Sequence, residues 1–479
     1  MILPAFFTIP SERSFSVRIR DLFSAKDMTQ GEPWLRITEF AVPMLLGNLA
    51  QQLYNTVDSI VVGKYVGDNA LAAVGSAAPI LNLLLALFVG VATGAGIVIS
   101  QRFGAGDRKG LSRAIGNCLT LATIASLGTM LLGVLITRPL LEFLDTPASI
   151  IHWCTDYLHI FFLGAAGFTF YNILSGILRG MGDSVSALLF LLVAAALNTV
   201  LDLWFVAGLG MGVAGVSLAT VLAQAISAFL CFIKLMRMGN IFDLTLESLR
   251  LRKDSAWRII TLGVPSGITQ GIMAVAMMVV QSLTNSMGEL VIACNVIIMR
   301  VDGFAMMPNM SFGQTMSVYA GQNVGAGRLD RVQQGTKQGL LMAAGFSAAI
   351  TAILLLFGRF LFDMFTDTQQ LMDLAVDMMR IMAIGYVCVA VSQVLGGVMR
   401  GCGQTMPPMW ITMLTTIVLR IPTAYGLAWL TRCPEWPNGR PEALSASLLI
   451  AWSMGALVSW LVFRRGGWKK KALAVCEPE

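Results

Sequence analysis

Asp58 and Asp202 are carboxylates set within apolar runs long enough to cross a bilayer. A charged side chain at bilayer depth costs about 2.5–3.5 kcal/mol on insertion scales, so it faces a protein interior or a wet cavity and is a functional candidate by default. In NLAQQLYNTVDSIVVGKYVG, Gln51, Asn55 and Asp58 fall at i, i+4 and i+7 and share one helical face among Leu46, Leu49, Leu53, Val57 and Ile60. In LNTVLDLWF, Asn198 and Asp202 are spaced i, i+4 and offer one amide and one carboxylate to the same point. Ser217, Thr220 and Gln224 follow at i, i+3 and i+7 on the next apolar run. Two carboxylates among amides and hydroxyls can hold a proton, or a sodium ion through several hard oxygens. The plainer alternative puts both acids at the membrane edge, with the hydroxyls bonded to their own backbone.

The elements that must position these groups follow from composition. Of 479 residues 56% are hydrophobic and 13% charged, against about 25% charged in an average soluble domain. The chain reads as an all-α polytopic membrane protein, with room for twelve spans at about 20 residues each. Its organisation is a leader over 1–35, a first six-helix lobe over 36–236, a linker over 237–256, a second lobe over 257–465 and a tail over 466–479. Most of the 33 Lys and Arg residues fall in the leader, the tail and the connections after even-numbered spans. The positive-inside rule then places both termini in the cytoplasm of a cell with this protein in its plasma membrane. The net charge of +6 reflects that asymmetry and gives no reason to expect nucleic acid. Eight cysteines without C-x-x-C spacing read as small buried hydrophobes.

A repeat divides the chain. LSGILRGMG from Leu174 returns as LGGVMRGCG from Leu395, and QRFGAG from Gln101 returns as QNVGAG from Gln322, both at an offset of 221. Six crossings return the chain to its starting side, so the halves are related by an axis along the membrane normal with a cavity between them. The halves differ chemically: Asp58 maps to Val279, Asn198 to Leu419 and Asp202 to Thr423.

Pro43, the LYNTVDSIVVGKYVG run, the two QxxGAG loops, LSGILRG, Asn198 with Asp202, and LRIP at Leu419 to Pro422 together resemble the multidrug and toxic compound extrusion family of secondary exporters. The resemblance implies two six-helix lobes forming a V-shaped cavity, and a cation site at Asp58, Asn198, Asp202 and Thr220. It further implies antiport of a drug-like, cationic or aromatic solute against protons or sodium, with no other cofactor or metal, by a monomer in a lipid bilayer. Pro43 matches the proline at which the family's first helix bends, and a proline within a span independently frees a carbonyl and permits a kink. Gln51 and Asn172 are similar to family positions lining the first-lobe cavity. Nine of the 28 methionines lie between Met273 and Met316; Met277, Met299 and Met306 are candidates for an adaptable opposite wall. Some family members carry a second acidic cation site in the second lobe; here Asp302 is its remaining candidate.

Arg300 and Arg420 are the other charges assigned to spans, and Arg420 is expected either to pair with Asp302 or to meet substrate. A primary pump is disfavoured because no G-x-x-x-x-G-K-[ST] sequence occurs. The chain is thus expected to be a transporter and not an enzyme. The nearest competing reading is a flippase for a lipid-linked or larger natural product, which many arginines in the groove would favour.

Overall fold

A computed structural model describes residues 25–143, 146–363, 366 and 368–476. Positions 1–24 of the expected leader and 477–479 of the tail lie outside the described residues. The described chain is helical throughout, apart from turns and an isolated bridge between Cys433 and Trp436. In the first half, α1 (Pro33–Tyr65), α2 (Asp68–Gly104) and α3 (Arg108–Phe143) are followed by α4 (Ile151–Leu163), α5 (Ala165–Gly180), α6 (Ser184–Asp202) and α7 (Gly212–Met236). The second half holds α8 (Lys253–Ser286), α9 (Glu289–Gly325), α10 (Leu329–Asp363), α11 (Gln369–Ala383), α12 (Gly385–Gly401), α13 (Met406–Met413), α14 (Ile421–Leu430), α15 (Glu442–Arg464) and α16 (Gly467–Cys476). Wider π-helical turns continue α6 over Leu203–Gly208 and join α13 to α14 over Leu414–Arg420.

Among the described residues eight helices are long and apolar enough to cross a membrane. Two bent pairs, α4 with α5 at 52° and α11 with α12 at 42°, raise that number to ten. These features define a multi-pass helical membrane protein. Twelve spans were expected; α1, which carries the polar stripe around Asp58, and α2 are not among these ten. The first bend falls at Gly164, where a Cβ would strike the Val221 side chain, and the second reaches Gly385, where it would strike the Trp452 ring. These two glycines are counterparts in the repeat. So are Gly106 (φ 66°) and Gly327 (φ 70°), which end α2 and α9 in the left-handed region that a Cβ penalises.

Packing links the halves at one end. Gly90 and Gly94 of α2 lie against Gly263 and Gly267 of α8, and Gly104 and Gly325 lie against the carbonyls of Gln322 and Gln101. Small residues let such helices approach backbone to backbone, as membrane interfaces require. The start of α1 crosses over: Ile37, Phe40 and Met44 pack with Met316, Tyr319 and Val398 of the second half. Its far end, through Val61 and Val62, packs with Cys154, Leu158 and Val216 of the first half. Pro43 therefore sits where α1 passes from one lobe's core to the other's. The segment before α1 also bridges, since the Met28 amide donates to Gln322 Oε1 at 2.9 Å and Arg328 donates to the Thr29 carbonyl at 2.7 Å.

Candidate functional site

α1, α6 and α7 bring a paired-carboxylate centre together inside the first lobe. Asp58 of α1 and Asp202 at the end of α6 lie within hydrogen-bonding reach of one another. Asp202 is fully buried and Asn198, one turn earlier, is 1% exposed. With its amide turned to satisfy both neighbours, Asn198 donates to Asp202 Oδ2 at 3.0 Å and accepts from the Thr220 backbone N–H at 3.3 Å. The π-helical turn that starts at Leu203 widens the helix immediately after Asp202, a feature common at functional sites.

The donor set leaves chemistry unsatisfied. Oδ1 of Asp58 and Oδ1 of Asp202 are both buried without a hydrogen-bond partner. A buried polar atom left unpaired costs about 1–3 kcal/mol, and more when charged, so these oxygens are poised for a proton or a small hard cation. Among the described residues no group of three or more His, Cys, Asp or Glu side chains could hold a metal ion. Two carboxyl groups in contact cannot both stay ionised without strong repulsion; sharing one proton removes it.

Two further residues of the centre escaped sequence reasoning. The Tyr54 and Tyr157 hydroxyls are near enough to Asp58 and Asp202 to interact with their charge. Tyr54 was detectable, since it precedes Asp58 by one helical turn. Tyr157 comes from α4 and no spacing signals it. Ser217, expected on the same face as Thr220, turns away and donates to the Tyr157 carbonyl at 2.8 Å. Asn55 accepts from Gln51 at 3.3 Å.

A crevice in the first half is lined by Pro43, Gly47, Asn48, Gln51, Asn172 and Arg179, so Gln51 and Asn172 do share one surface. A larger cavity of about 430 Å³ lies between the two halves. Phe40, Met44, Asn172 and Arg179 line it from the first half, and Met273, Met310, Gln393 and Arg400 from the second. Met277, Met299 and Met306 are not part of this lining; Met277 and Met299 are exposed, and Met306 packs against the second lobe's core. None of the lining side chains is a carboxylate, although a cationic solute was expected.

In the second half, Asp302 and Arg420 lie near enough to feel each other's charge but not within ion-pair distance. Asp302 Oδ1 instead accepts from the Tyr386 hydroxyl at 2.9 Å, while Nε of Arg420 is buried without a partner. Tyr386 reaches Asp302 because the α12 start carries its ring into the second lobe's core, fully buried. Arg300 is exposed.

A multi-pass helical bundle with a cavity between two halves and an acid pair within the first half has the makings of a membrane transporter. The MatE family model matches residues 43–204 and again 265–426, so the chain belongs to the MatE family, whose members are transporters and not enzymes. It is 29% identical over 450 residues to the probable multidrug resistance protein YpnP of Bacillus subtilis strain 168, covering 94% of this chain and 99% of that protein. It is 23% identical over 459 residues to the probable multidrug resistance protein NorM of Thermotoga maritima, covering 92% and 94%. The fold is shared with a multidrug resistance MATE family transporter solved in an outward-facing conformation, with a TM-score of 0.86 at 23% identity over 93% of this chain and 99% of that one.

Proposed function

We propose that this protein is a cation-coupled antiporter that exports drug-like small molecules, with Asp58, Asn198, Asp202 and Thr220 as its cation site. The observation that carries this reading is the contact between Asp58 and Asp202, with one oxygen of each left unpartnered. We take the proton as the coupling ion, since two carboxyls in contact can share one proton without any further ligand. Support for two six-helix lobes comes from the duplicated family match and from bends and left-handed glycines that recur at the repeat offset. With α1 and α2 counted, the spans are twelve. The asymmetry of Lys and Arg puts the Gln101 and Gln322 ends in the cytoplasm and this bundle in the plasma membrane. The halves then meet at the cytoplasmic side and diverge outwards as a V. Each chain holds its own cavity and acid pair, so a monomer suffices.

In the mechanism, solute occupies the cavity between the halves, with Gln51 and Asn172 offering hydrogen bonds in the crevice next to it. A proton entering from outside binds between Asp58 and Asp202 and removes their repulsion. The packing of α1 on α6 changes, and Pro43 lets the two ends of α1 respond separately. The coupling can be no larger than the proton's difference in affinity between the two lobe arrangements.

The test is efflux of a fluorescent dye from vesicles holding purified protein, under an imposed pH gradient or an imposed sodium gradient. The expected result is efflux with the pH gradient and its loss in Asp58→Asn, which neutralises the acid with little volume change. Gradient-driven efflux by folded Asp58→Asn protein at near the parental rate would overturn the mechanism.

A further inference from the structure

Arg179 and Arg400 are the matched arginines of LSGILRG and LGGVMRG, counterparts in the repeat, and both line the cavity between the halves. They are the last residues but one of α5 and α12. Among the described residues neither guanidinium has a carboxylate within ion-pair distance, and the polar side chains that reach Arg179 are the phenol of Tyr171 and the thiol of Cys231. Among the described residues the cavity lining contains no acid. The hydroxyl of Ser266, also in the lining, is buried without a partner. Two unneutralised guanidiniums in a low-dielectric wall are costly unless something anionic completes them, and their planar forks fit carboxylate or phosphate oxygens.

We infer that the solute carried by this transporter bears an anionic group, a carboxylate in the first instance, which Arg179 and Arg400 hold while its apolar body rests on Phe40, Met44, Met273 and Met310. The inference rests on the export reading above and specifies its substrate class. A cationic solute without an anionic group meets only positive charge in this cavity. The position of each arginine at a helix C-terminus explains why the charge is tolerated there. It does not explain why both point into one cavity without a counter-charge. A phosphate on a lipid shares the required chemistry, but the amide and hydroxyl side chains around the arginines suit a soluble solute.

The experiment is equilibrium binding of dansylglycine and of its methyl ester to the purified full-length protein in detergent, read by dansyl fluorescence. No gradient is present, so failure of the coupling mechanism leaves this measurement untouched. The acid is expected to bind at least about tenfold tighter than the ester, as a charge-assisted bidentate contact allows. Arg179→Gln and Arg400→Gln, checked for folding by thermal stability, remove that preference and leave ester affinity in place. Arg179→Lys and Arg400→Lys retain part of it. Should the glutamine variants not fold, displacement from the parental protein by benzoate but not by tetraethylammonium carries the same conclusion. Equal binding of acid and ester, a preference that survives in the folded glutamine variants, or a parallel loss of ester binding overturns it. Displacement by short-chain phosphatidylglycerol at concentrations where benzoate has no effect assigns the arginines to a lipid and overturns the soluble solute.

Discussion

Gln101 of α2 donates its side-chain amide to the carbonyl of Gly401 at 2.8 Å, and Gln322 of α9 repeats the contact in reverse by donating to the carbonyl of Gly180 at 3.1 Å. Each repeat motif therefore grips the other motif in the opposite half. The glutamine oxygens are used as well: Arg258 donates to Gln101 at 3.0 Å and the Met28 amide to Gln322 at 2.9 Å. One turn on, Gly104 and Gly325 pass so close to the opposite glutamine's carbonyl that neither tolerates a Cβ. This reciprocal clasp joins the glycine contacts and the crossing start of α1 in holding the two halves together at that end.

Removing half of the clasp weakens closure there. Gln322→Ala loses two buried hydrogen bonds at about 0.5–1.5 kcal/mol each, which shifts a two-state balance up to roughly a hundredfold. Spin labels near Tyr65 and Ser286, at the opposite end, then show a larger population at short distance in pulsed electron resonance. An unchanged distance distribution removes the clasp from the conformational balance.

Gly104→Ala acts on the same interface by sterics. The colliding atom is the backbone carbonyl of Gln322, which cannot rotate aside as a side chain can. The halves must separate locally, at a cost of about 1–3 kcal/mol. Thermal unfolding in detergent moves down accordingly, whereas Gly128→Ala, which meets nothing within 4 Å, leaves it in place. Equal effects at the two sites count against the close approach.

The orientation has its own test. A cysteine placed at the exposed Ala105, beside Gly106, is open to reagent. An impermeant maleimide added outside intact cells leaves it unlabelled if this end is cytoplasmic. Efficient labelling reverses the topology.

Gln51 lies in the crevice and outside the acid pair. Gln51→Ala is therefore expected to reorder a panel of exported dyes by a few fold each, since one hydrogen bond contributes about 0.5–1.5 kcal/mol, while the dependence on the pH gradient stays intact. An unaltered ranking at normal expression takes Gln51 out of the substrate path.

Outside the bundle, Arg108 clamps the linker between the halves. It donates to both carboxylate oxygens of Asp243 at 2.7 and 2.8 Å and to the carbonyls of Asn240 and Gly239 at 2.6 and 2.7 Å. The guanidinium holds the Asp243 carboxyl below the ordinary carboxylate range. Its contribution is thus present above about pH 4, the unfolded carboxylate value, and is lost as pH falls through the depressed folded value. Asp243→Asn reproduces the acid state at neutral pH, so limited proteolysis within 237–252 accelerates in that variant. A cleavage rate equal to the parent's at pH 7 shows that the carbonyl contacts alone hold the linker.

Much of this protein was legible in one dimension because the bilayer simplifies the code. Apolar run length marks the helices, a carboxylate such as Asp58 or Asp202 stands out against them, and i, i+4 spacing puts Asn198 beside Asp202 on one face. The internal repeat likewise exposed the glutamines and arginines of the two motifs as counterparts. What a motif touches is another matter, since it depends on partners far away along the chain. The grip of Gln101 on Gly401, the arrival of Tyr157 beside the acid pair and the capture of Asp302 by Tyr386 each join helices that share no local periodicity. Helix rotation decided the rest: Arg179 and Arg400 face the cavity while Met277, Met299 and Met306 do not. That rotation is set by glycine-lined contacts between helices, and spacing along a single helix carries no information about it.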